Sequence, residues 1–437
     1  MTFLDRPRFR AVFLVFTLFT VFAADAWRYS ISWYGFGVLA VLMTAVSVLL
    51  LVRVYARGAW TWGELPIPLV GFLALATASI AWSFYPGASA LGILLTWMTA
   101  IVGLAVATSY SLDQILRGLG TTMRLILGLS LLFELVVSVF VRAPLLPFFS
   151  LADIGSYDKI PKLLFWSRDL LFEGGKIQGI VGNSSLLAFV ALVGLIVFCI
   201  QLAARRVHPV AGAFWILVAV GVILLTRSAT ITVALVVLAI AVLAVLAIRR
   251  SRTRGTVAVY ITLVGLLGAA IAAAFVFSAP LLAVLGKSSD LTGRIDIWKA
   301  VIALAQERPA FGWGWVSFWA PWAPPFDTLA FEGGVRQLHA HNAWLDVWLQ
   351  LGIVGLVVFG ALVLTTLVRA WQLAVDRPQV EPGATQPFSA VSLLPLLLIV
   401  ALLAQSIAES RLLIEYGLVV LVVVAVKTKL GYQVGRG

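Results

Sequence analysis

The chain has 437 residues, of which 62% are hydrophobic and only 11% charged, and its formal net charge is +12. Soluble globular domains carry about 25% charged residues, so this composition excludes an ordinary soluble enzyme. The positive charge does not indicate nucleic-acid binding, because the basic residues are scattered through short loops and form no stripe with stacking aromatics. Basic loops of this kind are expected at a membrane surface, where topology and anionic lipids favour them.

Apolar runs of about 20 residues, the length an α-helix needs to cross a bilayer, recur along the whole chain. We therefore predict an all-α, polytopic membrane protein in which residues 1–437 form a single integral membrane domain. About twelve transmembrane helices are expected, with a large helical loop before the tenth. They are predicted near residues 9–24, 31–52, 65–81, 88–108, 120–141, 179–203, 209–225, 228–248, 256–278, 343–368, 389–408 and 411–427.

Two long polar segments interrupt the predicted spans, a first outer loop at residues 142–178 and a large outer loop at residues 279–342. With the N-terminus inside, the short connections on the opposite side are nearly free of Lys and Arg. The densest basic cluster, Arg249-Arg-Ser-Arg-Thr-Arg254, then lies in the cytoplasm. By the positive-inside rule, both termini are predicted to be cytoplasmic and both long loops extracytoplasmic.

The first outer loop contains mixed charges, most of which are expected to be solvated surface residues. Arg168 and Lys176 lie nearest the following span, so they are the better candidates for contact with an anionic ligand. The sixth span opens with Gly182-Asn183-Ser-Ser. Small polar residues at such a position cap a helix or allow close helix packing.

An arginine separates the seventh and eighth predicted spans with almost no loop around it, in Leu225-Thr-Arg227-Ser228-Ala-Thr230. A charged side chain in lipid is costly, so Arg227 must extend to the interface, pair with another charge or face a polar cavity. Its guanidinium could bind phosphate oxygens with two N–H groups, and the hydroxyl of Ser228 could add a donor.

The large outer loop begins with a predicted helix that ends near Pro309. Arg294 is placed on its first turn, where backbone N–H groups also favour an anion, and Trp298 one turn later can pack on the arginine stem. Alternatively, Asp290 or Asp296 could pair with Arg294 in a purely structural ion pair.

A glycine-rich aromatic turn, Pro309-Ala-Phe-Gly312-Trp-Gly314-Trp315, follows that helix. Its indoles could line a sugar site or seat the loop at the membrane interface. The shorter outer connection Ala81-Trp-Ser-Phe-Tyr-Pro86 is read as aromatic residues of the interfacial belt beside a turn.

Two of the three histidines precede the tenth span, in His339-Ala-His341-Asn342. A metal site is disfavoured, because no cysteine is near and a third ligand would have to come from a distant carboxylate. A neutral imidazole at the mouth of a helical bundle suits a general base, since its pKa lies near ambient pH. Asn342 could orient the imidazole ring or bind a sugar hydroxyl.

Taken together, these motifs resemble the O-antigen ligase and polymerase superfamily, and its exopolysaccharide-polymerase branch in particular. The resemblance covers roughly residues 80–420 and depends on the order, spacing and sidedness of several short motifs. They are Trp82-Ser83-x-x-Pro86, Arg227-Ser228, Leu291-Thr-Gly-Arg294-Ile-Asp-Ile-Trp298, Pro309-x-x-Gly312-x-Gly314, Phe318-Trp319, His341-Asn-x-x-Leu345 and Gly352-Ile-Val-Gly355. The segment Gly182-Asn183-Ser-Ser departs from the lysine-containing version of the exopolysaccharide branch.

The resemblance implies a glycosyltransferase of the bacterial cytoplasmic membrane that takes glycan from a polyprenyl-diphosphate donor outside the cytoplasm. The reaction would be inverting, without metal or other cofactor, with a glycan or glycolipid as acceptor. It implies His341 as catalytic base and Arg294 and Arg227 as diphosphate ligands, to which we add Arg168, with Asn342, Trp298, His339 and Ser228 in support. Polymerase and lipid A-core ligase both remain open, and a lipid-linked-glycan transporter is the rival class.

Overall fold

The computed structural model describes residues 3–150, 157–251, 289–376, 379–381, 384–385 and 387–434. The predicted span at 256–278 lies outside the described residues. Within them the fold is helical, as predicted, and the strands form only two short antiparallel hairpins, Phe331–Glu332 with Val335–Arg336 and Gln379–Glu381 with Ala384–Thr385. The α-helices are α1 (Pro7–Phe22), α2 (Ala24–Ala56), α3 (Ile67–Ala78), α4 (Pro86–Ser109), α5 (Leu112–Val136), α6 (Ser184–Ala203), α7 (Pro209–Thr226), α8 (Ala229–Arg250), α9 (Ser289–Gln306), α10 (Ala343–Val375), α11 (Leu394–Ser406) and α12 (Glu415–Val434).

Seven helices among the described residues are long and apolar enough to cross a membrane: α2, α4, α5 with its π-helical extension, α6, α7, α8 and α10. Two shorter apolar helical segments, Ile67–Trp82 and Val391–Ser406, accompany them. These findings confirm an all-α, multi-pass membrane protein. They do not confirm the predicted count of twelve spans.

The core of the bundle is formed by α6 and α12. α6 is the most enclosed of the seven candidate spans, and it packs against α5, α7 and α11. α12 contacts α4, α10 and α11 through a nearly continuous run of buried residues from Tyr416 to Val426. A helix that is apolar all round suits such a position, because it buries every face.

Helix α10 is broken at Gly352, whose φ of 67° lies in the left-handed region. The glycine-rich turn after α9 pairs with the break: Ile353 N donates to Pro309 O at 2.8 Å, and Gly314 N donates to Gln350 O at 2.9 Å. A Cβ on Gly352 would lie 2.2 Å from the backbone of Ala310. The break therefore requires glycine. The turn forms hydrogen bonds with the backbone groups that the break leaves unpaired, which lipid could not do.

Both predicted outer loops lie at one end of the bundle, which we call the loop end. Gln178 N donates to Glu134 Oε1 at 2.8 Å at the end of α5, and Asn342 N donates to Ser410 Oγ at 3.1 Å between α11 and α12. The opposite end carries basic contacts, such as the 3.0 Å ion pair between Arg206 and Asp113.

Candidate active site

The candidate active site is built around His341, which lies two residues before the first residue of α10 and has a left-handed backbone with φ of 50°. Its Nδ1 lies 3.2 Å from Glu409 Oε2, and its Nε2 lies 3.0 Å from Gln337 Oε1. Nδ1–H donates to Glu409. Nε2 faces the amide oxygen of Gln337, whose NH2 group donates to Val335 O at 3.1 Å. The Gln337 side chain occupies the place where an acceptor hydroxyl would approach Nε2, so it must move aside before that nitrogen can take a proton.

A second contact links the same carboxylate to Arg294, whose Nη2 lies 2.9 Å from Glu409 Oε1. Burial would raise the pKa of the Glu409 carboxyl, but the charge and hydrogen bond of His341, together with the charge of Arg294, outweigh it and lower that pKa. Glu409, only 5% exposed, is therefore an anion bridging an arginine and a histidine.

The structure corrects two expectations about Arg294. Helix α9 begins at Ser289, so Arg294 lies in its second turn, and the free N–H groups of the helix start do not surround it. Arg294 pairs with Glu409, and Asp296 instead lies 3.5 Å from Lys299 on the exposed face. Arg294 thus uses one N–H group to bind Glu409, and its other N–H groups are left for a ligand.

His339 lies beside His341, with ring centroids 4.0 Å apart. Its Nδ1 accepts a hydrogen bond from His341 N at 3.1 Å. Burial, followed by the charge of His341, lowers the pKa of His339 well below its ordinary value, so this imidazole is neutral. His339 therefore supports the backbone of His341 as an acceptor.

Three of these side chains could in principle hold a metal ion. The candidate ligand atoms of His339, His341 and Glu409 lie within 4.8 Å of one another, and two histidines with a glutamate match a zinc ligand set. However, the guanidinium of Arg294 lies against the carboxylate, and Gln337 faces one nitrogen of His341. A fixed positive charge in contact with a ligand opposes a second cation, so the arrangement favours a proton-transfer pair.

The segment that carries His341 is clamped from two sides. Trp298 Nε1 donates to Ala340 O at 3.0 Å, and Ala340 N donates to Asp346 Oδ2 at 3.0 Å. Asp346 is fully buried and also accepts from Trp319 Nε1 at 2.8 Å and from Ser410 Oγ. Trp298 thus holds the histidine segment, and its packing on the stem of Arg294 stays a prediction.

Asn342 caps α10. Its Oδ1 accepts from Trp344 N at 3.0 Å and from Leu345 N at 3.1 Å, which is the pattern of a helix N-cap. That oxygen is occupied, so it does not contact the imidazole ring. Asn183 caps α6 in the same way, which agrees with the structural reading of its motif.

The indoles of the glycine-rich turn seat the loop on the bundle. Trp315 is fully buried and donates from Nε1 to Thr96 Oγ1 at 2.9 Å, while Trp313 donates to Leu304 O at 2.9 Å. Tyr85 of the predicted aromatic connection donates to Gly314 O at 3.0 Å. Of the two readings of this turn, the structure supports loop anchoring.

Arg227 and Arg168 form a second group around the end of the first outer loop. Arg168 Nη2 donates to Lys176 O at 3.2 Å, and a Cβ on Gly174 would lie 3.2 Å from Arg227 Nη2. Among the residues that the structure describes, neither arginine forms an ion pair. In the described part of the chain, Arg227 forms no hydrogen bond to Arg294 or His341, so their meeting remains a prediction. Ser228 is buried, and its carbonyl accepts from Thr232 N at 3.1 Å.

Sequence reasoning missed Glu409, Gln337 and Arg411. The segment Ala408-Glu409-Ser-Arg411 lies between two apolar runs. Charges in such a short connection are costly unless paired or functional. The argument that singled out Arg227 therefore applied equally to Glu409 and Arg411.

Comparisons with known proteins support the resemblance drawn from the motifs. The sequence model described as O-Antigen ligase matches residues 212–360, a region that contains Arg227, Arg294 and His341. An 88-residue stretch is 28% identical to the exopolysaccharide production protein ExoQ of Rhizobium meliloti (strain 1021), and it spans 20% of each chain. The chain is thus similar to the O-antigen ligase and polymerase superfamily, with a relative named for exopolysaccharide production.

Proposed function

We propose that the protein is a membrane glycosyltransferase that builds surface polysaccharide outside the bacterial cytoplasmic membrane. It transfers glycan from a polyprenyl-diphosphate carrier to an acceptor hydroxyl, with inversion at the anomeric carbon. The main observation behind this proposal is the His341–Glu409–Arg294 arrangement at the loop end of the bundle. Arg168 of the first outer loop and Arg227, between α7 and α8, form a second group near Gly174. The match over residues 212–360 supports the same reaction class.

In the proposed step, Nε2 of His341 takes the proton of the acceptor hydroxyl as its oxygen attacks the anomeric carbon. The bond from that carbon to the diphosphate oxygen breaks, and the carrier diphosphate leaves with the electron pair. Glu409, 3.2 Å from Nδ1, stabilises the imidazolium that forms. Arginines near the leaving diphosphate stabilise its charge, a form of electrostatic catalysis that is strongest where water is excluded.

We assign the diphosphate to Arg227 and Arg168, and to the N–H groups of Arg294 that Glu409 does not use. Arginines bind phosphate oxygens in pairs of parallel hydrogen bonds, which suits a diphosphate better than a single charge would. No metal or other cofactor enters this proposal, since arginines can supply the charge stabilisation that a metal would otherwise provide.

Polymerase and ligase use the same donor chemistry and differ in the acceptor. The relative named for exopolysaccharide production favours a polymerase that joins repeat units. The family described as O-Antigen ligase favours the second candidate, attachment to lipid A-core. Lengthened glycan with a repeat-unit acceptor, and no product with lipid A-core, would support polymerase.

Purified protein in detergent, supplied with a polyprenyl-diphosphate-linked glycan and acceptor, tests the proposal. Product formed without a second compartment identifies an enzyme and excludes a transporter as the explanation. We expect His341→Ala to lower transfer by about 10²–10⁴-fold, the usual contribution of general acid–base catalysis. His208→Ala, in the exposed residue before α7, is the matched control and should be unchanged. Full activity of His341→Ala would refute the assigned base.

A further inference from the structure

A groove runs between α2, α4 and α12. Its empty volume, including the solvent at its open side, is about 690 Å³. Small or apolar side chains line most of it, including Ala40, Thr44, Leu95, Thr99 and Val419. Several of these side chains are half-buried or exposed, so the groove is partly open between the helices.

The groove ends at a cluster of four charges. Arg28 is 4% exposed and contacts both Asp25 and Glu415, and Glu415 also contacts Arg411. The Nε atoms of Arg28 and Arg411 are buried and have no hydrogen-bond partner among the described residues. Buried polar groups are normally satisfied. Of the four charged residues, Arg28 and Glu415 line the groove itself, so a head group at this end would meet one arginine and one carboxylate.

The same groove adjoins the candidate active site. Phe318 lines its wall, and the Phe318 ring lies 6.4 Å from the ring of His339, centroid to centroid. Arg411, at the charged end, is two residues from Glu409. A lipid chain in the groove would thus place its head group beside the histidines.

We propose that this groove binds the apolar chain of a lipid-anchored acceptor, with the oxygen-rich head group against Arg28 and Glu415. The inference depends on the proposed function and adds a second lipid site to it. The charges at the groove end balance, two arginines against two carboxylates, so they suit hydroxyls, which both donate and accept. Arg168 and Arg227, without ion-pair partners in the described structure, suit the donor diphosphate instead. Donor and acceptor are then held by two different groups of residues.

Filling the groove tests this assignment. Ala40→Trp and Thr99→Trp place an indole in it, whereas the controls Val41→Trp and Leu94→Trp place one on the exposed faces of the same helices, at positions 58% and 55% exposed. We expect the filling variants to raise the KM for a lipid-anchored acceptor about 10-fold or more. The KM for a soluble acceptor lacking the chain, and for the donor, should stay within about twofold. Equal effects of filling and control variants, or equal loss with both acceptors, would overturn the proposal.

A binding measurement separates this inference from the transferase proposal. A diazirine-bearing isoprenoid glycolipid and a diazirine-bearing phosphatidylglycerol are each photo-crosslinked to the purified protein, and the labelled peptides of α2 and α4 are counted. We expect labelling by the glycolipid that falls at least fivefold in Ala40→Trp but not in Val41→Trp. Equal labelling by phosphatidylglycerol, with equal competition, would show ordinary bilayer lipid and sink the inference. Absence of transfer by the wild type, with specific labelling retained, would instead count against the transferase proposal alone.

Discussion

Two polar regions at the loop end differ in how completely their side chains are paired. The first, which we call the histidine cluster, consists of Arg294, Gln337, His339, His341 and Glu409. Its carboxylate contacts both an arginine and a histidine, and both nitrogens of His341 have a neighbour within 3.2 Å. This cluster has little freedom to move.

The second region, the arginine cluster, consists of Arg168, Arg227 and the adjoining Gly174. Arg227 is exposed, the Nε of Arg168 is buried without a partner among the described residues, and neither side chain forms an ion pair there. Catalytic groups require fixed geometry, whereas a site for a charged ligand is partnered only when the ligand arrives. The contrast supports chemistry at the histidine cluster and anion binding at the arginine cluster.

Neutralising Glu409 is the strongest test of this division between catalysis and anion binding. Glu409→Gln keeps the side-chain shape but removes the charge that faces His341 and Arg294. We expect kcat to fall by about 10²-fold or more, since the imidazolium formed in the step loses its counter-ion, while the KM for the donor changes less than about threefold. Steady-state kinetics on the lipid-linked glycan measure both quantities.

Glu332→Gln, in the short hairpin of the same outer loop, is the matched control and should retain full kcat. If Glu409→Gln raised the KM for the donor and left kcat unchanged, Glu409 would belong to ligand binding. The two clusters would then not differ in function.

The arginine cluster is expected to show the opposite pattern. Arg227→Ala and Arg168→Ala each remove charge-assisted hydrogen bonds to phosphate, worth about 1.5–3 kcal/mol apiece. We therefore expect the donor KM to rise by about 10-fold or more in each variant. Direct binding of inorganic pyrophosphate should weaken in parallel, which gives a readout that needs no turnover. Arg142→Ala, an exposed arginine at the start of the same loop, should leave both values unchanged.

The residue types of the candidate site were predictable, but their pairing was not. His341 and Arg294 stand out because polar, chemistry-bearing residues are rare in an apolar chain. Glu409 lies 68 residues from His341 and 115 residues from Arg294 in the chain. Only the return of α11 to the loop end brings it to them, and no local pattern encodes that packing. For the same reason the nearby Asp290 and Asp296 were the natural candidates for Arg294.

Helix boundaries show the same limit. The prediction began the helix of the large loop near Arg294, but Ser289 starts it, which moves Arg294 out of the first turn. The break in α10 at Gly352 could not be read from hydropathy, because apolar residues flank the glycine on both sides. What requires the break is the turn at residues 309–314, which pairs with it from another part of the chain.

A change in stability is expected at Asp346, which joins α10 to the histidine segment. Asp346→Asn replaces one carboxylate oxygen by an NH2 group. In one orientation this NH2 faces the donors Ala340 N and Ser410 Oγ, and in the other it faces the donor Trp319 Nε1. Leaving a buried donor unsatisfied costs about 1–3 kcal/mol, so we expect a lower Tm in detergent. Asp296→Asn is the control, because the Asp296 side chain is 73% exposed and exposed ion pairs contribute little to stability. An unchanged Tm for Asp346→Asn would show that this network does not hold the segment.

The smallest effect is expected at His339, whose contribution depends on pH. Burial and then His341 hold the pKa of His339 well below 6.5, so the folded protein keeps the ring neutral where the unfolded chain would protonate it. Below about pH 6.5 the unfolded state therefore binds an extra proton, and the free energy of unfolding falls as the pH drops; above it the contribution is constant. The other charged groups that act on this ring are Glu409, Arg411 and Arg294.

His339→Asn keeps an acceptor for His341 N but cannot titrate, so its Tm should fall less than that of the wild type between pH 7.5 and pH 5.5. Because Glu409 has a lowered pKa and titrates below its ordinary value of 4.5, it does not contribute in this window. An equal fall in both proteins would mean that His339 is protonated in the folded state, and the histidine cluster would then carry a second positive charge beside the assigned base.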